Sequence, residues 1–184
     1  CFGYQFQFTA LQAARAYRRL FRGGEAELRV CRGVEYDGRW LAAPASPGGA
    51  TFSTKVVRGV RLAMTDVMDT ELHGTGGRAC RMLEKELGIK ILGEVAGKTG
   101  TAKSNIWTRE RGKISARNAS FVGVIPARSP RWLAVCVMQK DDSARFYGGT
   151  YAAPPAVRLL LQARQLAERH RLGQRSRPSG GQSR

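Results

Sequence analysis

Apolar residues recur along this 184-residue chain at two different periods, and the change from one to the other divides it. In residues 10–22, Ala10, Ala14, Tyr17 and Phe21 fall on one face at helical spacing, with Arg15, Arg18, Arg19 and Arg22 mainly elsewhere. Thr9 and Gln12 form a T-x-x-Q capping box before that run and Gly23-Gly24 a stop after it, which predicts a helix over 10–22. Residues 25–37 read as one or two short strands and 38–50, rich in Gly, Pro and Ser, as a loop. Val57, Val60, Met64 and Val67, with Met68, make a second stripe and predict a helix over 55–72, capped by Ser53 or Thr54. Gly74-Thr75-Gly76-Gly77 breaks it. A short helix over 78–87 follows, closed by Gly88, with Glu84, Lys85 and Glu86 read as a solvated charged face.

Beyond residue 88 the pattern becomes that of strands. Ile89–Val95 reads as a strand leading into Ala96–Ala102, and Asn118–Ile125 and Trp132–Met138 are two further β-branched or aromatic runs. Pro126-Ala127-Arg128-Ser129-Pro130 between them is turn chemistry, so a hairpin is expected. Pro154-Pro155 opens a last helix to about 171, along which lie Val157, Leu160, Leu161, Arg164 and Leu166. Residues 173–184 contain only Gly, Ser, Arg, Gln and Pro and read as a disordered basic tail, leaving 1–172 as the folded part. Helices, then three strands, then a helix packing back amount to an α+β fold with an antiparallel sheet.

Composition adds bounds. The 42% hydrophobic content excludes global disorder, and no apolar run approaches the ~18–20 residues that span a membrane. Thirty-one basic against 14 acidic side chains give +17. That charge is spread along the chain, +3 over 1–50, +8 over 51–155 and +6 over 156–184. A nucleic-acid module clusters its charge and interleaves stacking aromatics, so no specific nucleic-acid partner is expected. The cysteines at 1, 31, 80 and 136 have neither C-x-x-C spacing nor a neighbouring histidine, which argues against a zinc site and leaves disulfides open. His73 and His170 do not make a Ser-His-Asp arrangement. No cofactor is implied.

Gly97-Lys98-Thr99-Gly100-Thr101 is the one stretch with a chemical look. As a phosphate-binding loop, G-x-x-x-x-G-K-[ST], it needs glycine at 92, which is Leu92; Gly93 comes one position too late. As the K-T-G element of serine acyltransferases that handle penicillin-like substrates, it needs only what it has. A strand at a sheet edge offers its backbone to an extended peptide. Gly100 lets a substrate lie close. Lys98 brings a positive charge, Thr99 and Thr101 bring hydroxyls for a carboxylate, and the Thr101 N–H could face a developing oxyanion.

Five blocks, in order, carry a resemblance to a known family. Gly3-Tyr4 with Thr9–Tyr17 and Gly23-Gly24 resembles G-Y-G…T-P-L-Q-L-A-x-A-Y…N-G-G; Gly74–Ala79 resembles G-T-G-x-x-A; Val95–Ala102 resembles the K-T-G box. Phe121–Pro126 with Pro130-Arg131 resembles F-V-G-F-x-P…P-R, and Tyr147–Pro154 resembles Y-G-G-x-x-A-A-P. Together they are similar to the class B penicillin-binding proteins, the monofunctional transpeptidases, over about residues 3–165, and most of all to the septal and elongation types. The resemblance implies part of the serine β-lactamase/transpeptidase-like fold. It also implies acyl transfer in peptidoglycan cross-linking on stem peptides ending in D-Ala-D-Ala, with β-lactams acylating the same serine. Lys98, Thr99, Gly100 and Thr101 are the substrate-binding residues it implies, in a protein at the periplasmic, extracytoplasmic face of the membrane.

No serine of the chain has lysine three residues on, and S-x-N is absent. In the family S-x-x-K, S-x-N and the membrane anchor lie upstream of the G-Y-G block. The chain is therefore expected to be the C-terminal part of a transpeptidase domain, with no catalytic nucleophile of its own and inactive without the missing N-terminal part. A non-catalytic remnant or binding module is the alternative, and a basic nucleic-acid-binding protein the distant third. Departures from the pattern are Arg22-Gly23-Gly24 for N-G-G, Ala10 for the proline of T-P-L-Q, Gln139-Lys140-Asp141-Asp142 at the strand end, and a longer link over 78–92.

Overall fold

The computed structural model describes residues 8–22, 31–43, 51–141 and 145–175. Gly3-Tyr4, Gly23-Gly24, residues 25–30 of the expected strands, 44–50 of the expected loop, Asp142 and the tail from 176 lie outside the described residues.

Local signals set the helix starts. Helix α1 (Ala10–Arg22) begins at a reciprocal box, with the Thr9 N–H donating to Gln12 Oε1 at 2.8 Å and the Gln12 N–H to Thr9 Oγ1 at 3.2 Å. Ala13 is its buried residue, with Tyr17 and Phe21 half-buried and Ala10 exposed. In the hairpin of β1 (Gly33–Tyr36) and β2 (Arg39–Ala42) the chain turns at Asp37-Gly38, φ 49° and 68°. This corrects the expectation of a loop from 38: two residues in the left-handed region are the hairpin chemistry of Asp-Gly.

Ser53 Oγ accepts the Val56 N–H at 3.4 Å and caps α2 (Thr54–Asp66). The helix ends six residues before the expected 72. Asp69 explains the stop: its Oδ1 takes the Glu71 N–H at 2.8 Å, and the chain doubles back so that the Gly76 N–H meets the Val67 carbonyl at 2.8 Å. Helix α3 (Gly77–Leu87) closes at Gly88, φ 65°.

Three antiparallel strands follow, β3 (Ala96–Thr108), β4 (Gly112–Ile125) and β5 (Trp132–Asp141), in the order β3-β4-β5. Phe121 pairs with Thr99 on one side and Cys136 on the other. The first two strands run further than expected, as a ribbon over 103–117 that is polar on much of its surface and so lacks an apolar period. Residues 89–95, expected as a strand, form a loop instead, with only a Leu92–Val95 bridge. Ile91 and Val95 are apolar because they are buried beneath it.

Helices cover both faces of the sheet. On one side α3 and α4 (Ala153–Arg175) bury Leu83, Phe121, Val157 and Leu160. On the other, Met64 of α2 packs on Ala96 and Val124, beside Tyr17 and Phe21 of α1. A π-helical turn, Gly148–Ala152, leads into α4. Leu166, expected on the packed course of α4, is 65% exposed, and the helix continues to Arg175, three residues past the boundary expected at 172.

Glu84 corrects the reading of 84–86 as a solvated face. Its Oε1 accepts the Ile91 N–H at 2.7 Å and the Leu92 N–H at 2.8 Å, and so holds the loop that feeds β3. Those bonds, Leu92 foremost, hold its carboxyl below the usual carboxylate range. A group so lowered stabilises the fold above its unfolded value of about 4.3, and that contribution is lost as pH falls through the folded value. Replacing Glu84 by Gln is therefore expected to cost about 1 kcal/mol in urea unfolding at neutral pH. The difference from wild type should shrink below about pH 4.

Candidate active site

The K-T-G segment lies on the sheet, not at a helix N-terminus, so the phosphate-loop reading is excluded. Its strand, β3, is terminal and pairs only with β4 among the described residues. Side chains alternate along it. Ala96 faces the α2 layer and with it Lys98 and Gly100, whereas Gly97, Thr99 and Thr101 face the α4 side. Lys98 and Thr101 are exposed, Gly100 is half-buried, and Thr99 is the one buried polar residue among those described.

Thr99 is buried because two other segments close on it. Its hydroxyl lies 2.5 Å from that of Thr75 in the Gly74-Thr75-Gly76-Gly77 turn. Across the strand, the Gly148 N–H donates to Thr101 Oγ1 at 3.1 Å, drawing the π-helical turn onto β3. That approach needs bare α-carbons. A Cβ on Gly148 would overlap the Gly100 backbone, and one on Gly149 would overlap the Thr75 carbonyl oxygen. A Cβ on Gly97 would enter the Phe121 ring. The Lys98 ammonium donates to the Thr99 carbonyl at 2.5 Å, so the positive charge rests at the open edge of the strand.

The four expected residues thus occupy one strand edge, and the structure adds Thr75, Gly148 and Gly149 to them. All three stood in the quoted blocks; nothing in a linear pattern says that those blocks touch. Nucleophiles are a different matter. Ser120 Oγ sits across from Gly100 but is hydrogen-bonded to no lysine, histidine or carboxylate among the described residues. Cys80 is buried, and burial first, then Glu84, pushes its thiol up to about 12. Burial also raises the Cys136 thiol, so neither sulfur is a ready thiolate at neutral pH. None of Ser120, Cys80 and Cys136 is thus placed as an activated nucleophile.

An edge strand with this charge and these hydroxyls, backed by a helix-covered antiparallel sheet, fits the serine acyltransferase fold. The family model of the penicillin binding protein transpeptidase domain matches residues 1–161. The chain belongs to that family. It is 29% identical over 159 residues, 86% of this chain and 24% of the relative, to the probable peptidoglycan D,D-transpeptidase PenA of Neisseria meningitidis serogroup A. To the peptidoglycan D,D-transpeptidase FtsI of Escherichia coli K12 it is 31% identical over 154 residues, 83% of this chain and 22% of the relative. Among solved structures, the transpeptidase domain of Burkholderia pseudomallei penicillin-binding protein 3 superposes with a TM-score of 0.53 at 26% identity, covering 89% of this chain and 44% of that one. These relatives accord with the class B resemblance, and the neighbour with the α+β transpeptidase fold. The chain spans about a quarter of the length of the curated relatives it matches.

The Thr75–Thr99 contact makes a direct prediction. Thr75→Val should lower unfolding stability by about 1 kcal/mol, because it leaves the buried Thr99 hydroxyl without its partner. Thr75→Ser should restore most of it. Denaturant titration of the three proteins checks this.

Proposed function

We propose that the chain forms the substrate-binding wall of a peptidoglycan D,D-transpeptidase. The reading rests on one observation above the others: the K-T-G segment lies on a terminal strand, with Lys98 at its open edge and Thr99 anchored behind it. An extended stem peptide ending in D-Ala-D-Ala would add to that edge as a further strand. Lys98 and the Thr101 hydroxyl would hold its terminal carboxylate, while Gly100 would let the peptide backbone approach. The β-lactam amide would lie in the same place, its carboxylate standing in for that of the peptide.

The chemistry implied is acyl transfer. A serine oxygen attacks the carbonyl of the penultimate D-Ala, its proton passes to a nearby base, and the C–N bond breaks as the terminal D-Ala leaves with a proton. An amine from a neighbouring stem peptide then displaces the serine. In our reading that serine, in S-x-x-K, lies outside these 184 residues, so the chain alone supplies binding and oxyanion stabilisation only. Residues 1–172 would be one part of the transpeptidase domain and 173–184 an appended basic tail. The assembled protein would work at the extracytoplasmic face of the membrane, in septal or elongation synthesis. Among the described residues no helix is long and apolar enough to cross a membrane, so the anchor would be another segment.

Labelling with a fluorescent penicillin followed by denaturation tests this. The chain alone should take no covalent label. Joined to an N-terminal half carrying S-x-x-K from an FtsI-type relative, it should be labelled, and prior β-lactam should abolish the signal. Lys98→Ala in the joined protein should slow labelling about tenfold or more. Label on the chain alone, dependent on one of its own serines, would overturn the reading.

A further inference from the structure

A second cationic recess lies apart from the K-T-G edge and is used by nothing described so far. Arg58 and Arg61 project from one face of α2, three residues apart, toward the Gly93 turn and the turn that carries Arg128. Between them is a recess of about 550 Å³, lined also by the exposed Leu62 and the buried Ala127. Among the described residues no acidic side chain lines it. Glu94, next to Gly93, is engaged elsewhere, 3.0 Å from Arg164.

Arg58, Arg61 and Arg128 line the same recess, and like charges on one stretch of surface repel one another unless an anion lies among them. Among the described residues none of the three forms an ion pair. Arg61 is also held in place: its Nη1 donates to the Arg128 carbonyl at 2.5 Å, a bond that ties α2 to the β4–β5 turn and fixes one fork at the recess wall. A comparable group of arginines borders α1, but there Arg131 lies over the Trp132 ring, 5.4 Å from its centroid. The Arg58–Arg61–Arg128 group has no such occupant.

We propose that this recess binds a phosphate-class anion, a phosphomonoester or a diphosphate. A planar guanidinium matches two oxygens of a tetrahedral phosphate with parallel N–H donors, and three forks match the several oxygens and double charge of such a group better than one carboxylate. The volume leaves room for two phosphates, and Leu62 and Ala127 take an attached carbon group. The chemistry is shared by a soluble phosphorylated metabolite and a lipid headgroup. None of Lys98–Thr101 lines the site, and it does not depend on the acyl-transfer reading.

Pyrophosphate is the probe, titrated calorimetrically into the chain at about 150 mM salt, where loose surface attraction is largely screened. Saturable binding is expected, weakened about tenfold or more by Arg58→Ala/Arg61→Ala. It should be little changed by Arg169→Ala/Arg171→Ala, which removes the same charge from exposed positions on α4. Citrate should compete poorly. Circular dichroism melting shows that each variant is folded. Phosphatidylcholine vesicles with and without phosphatidic acid then separate the sources: displacement of pyrophosphate by the acidic vesicles indicates a headgroup site, and no displacement a soluble ligand. No binding at millimolar pyrophosphate, equal losses in both double variants, or equal competition by citrate would overturn the proposal.

Discussion

Backbone contact between three segments at Gly100, Gly148 and Gly149 is the constraint on which the rest of the structure depends. Strand β3, the Gly74–Gly77 turn and the π-helical turn before α4 meet where side chains are absent, so carbonyls and amides approach to distances that any Cβ would forbid. The Thr75–Thr99 and Gly148–Thr101 hydrogen bonds then pin the three together. Because the π-helical turn is seated on β3, α4 enters at the height that brings Val157 and Leu160 against Phe121. The exposed edge of β3 and the larger half of the core are set by one packing event.

That arrangement also reconciles a liability with a use. An unpaired strand edge invites uncontrolled pairing, and charged residues are the common defence. Lys98 and Lys103 stand on this strand, at exposed positions. At Lys98 the same positive charge that discourages another protein edge suits a peptide whose terminal carboxylate lies alongside it. Rigidity behind the strand matters as much as charge on it. The covered Thr99 cannot move without breaking its partly buried bond to Thr75, so the edge is presented in one conformation, which would lower the ordering cost of the binding proposed above.

Much of this was legible before any coordinates. The Thr9/Gln12 box and the Ser53 cap mark helix starts through bonds within three residues, and such local chemistry survives into the fold. The Ala96–Thr101 strand and its partners were legible from β-branched runs around the Pro126–Pro130 turn. What failed was read from composition where geometry decided. Residues 89–95 look like a strand because Ile91 and Val95 are buried, yet a carboxylate seven residues upstream takes the amides that a ladder would have used. A strand boundary at 37 splits Asp37-Gly38, although the pair is a hairpin signal. The lower end of α2 is ended by an aspartate side chain, which an apolar stripe cannot report. Thr75, Gly148 and Gly149 were visible as letters in motifs, but their role is a contact between positions 24 and more residues apart, which only the fold discloses.

The central claim is that close glycine packing holds the K-T-G strand in one conformation, and amide hydrogen exchange on Gly149→Ala tests it most directly. The added methyl must displace the Gly74–Gly77 turn from the π-helical turn, at a cost of about 1–3 kcal/mol. Exchange at 96–101 should then accelerate about tenfold or more relative to the amides of the β4–β5 ladder, which the substitution does not touch. Unchanged protection at 96–101 beside an intact β4–β5 ladder would show that the strand is held by something else.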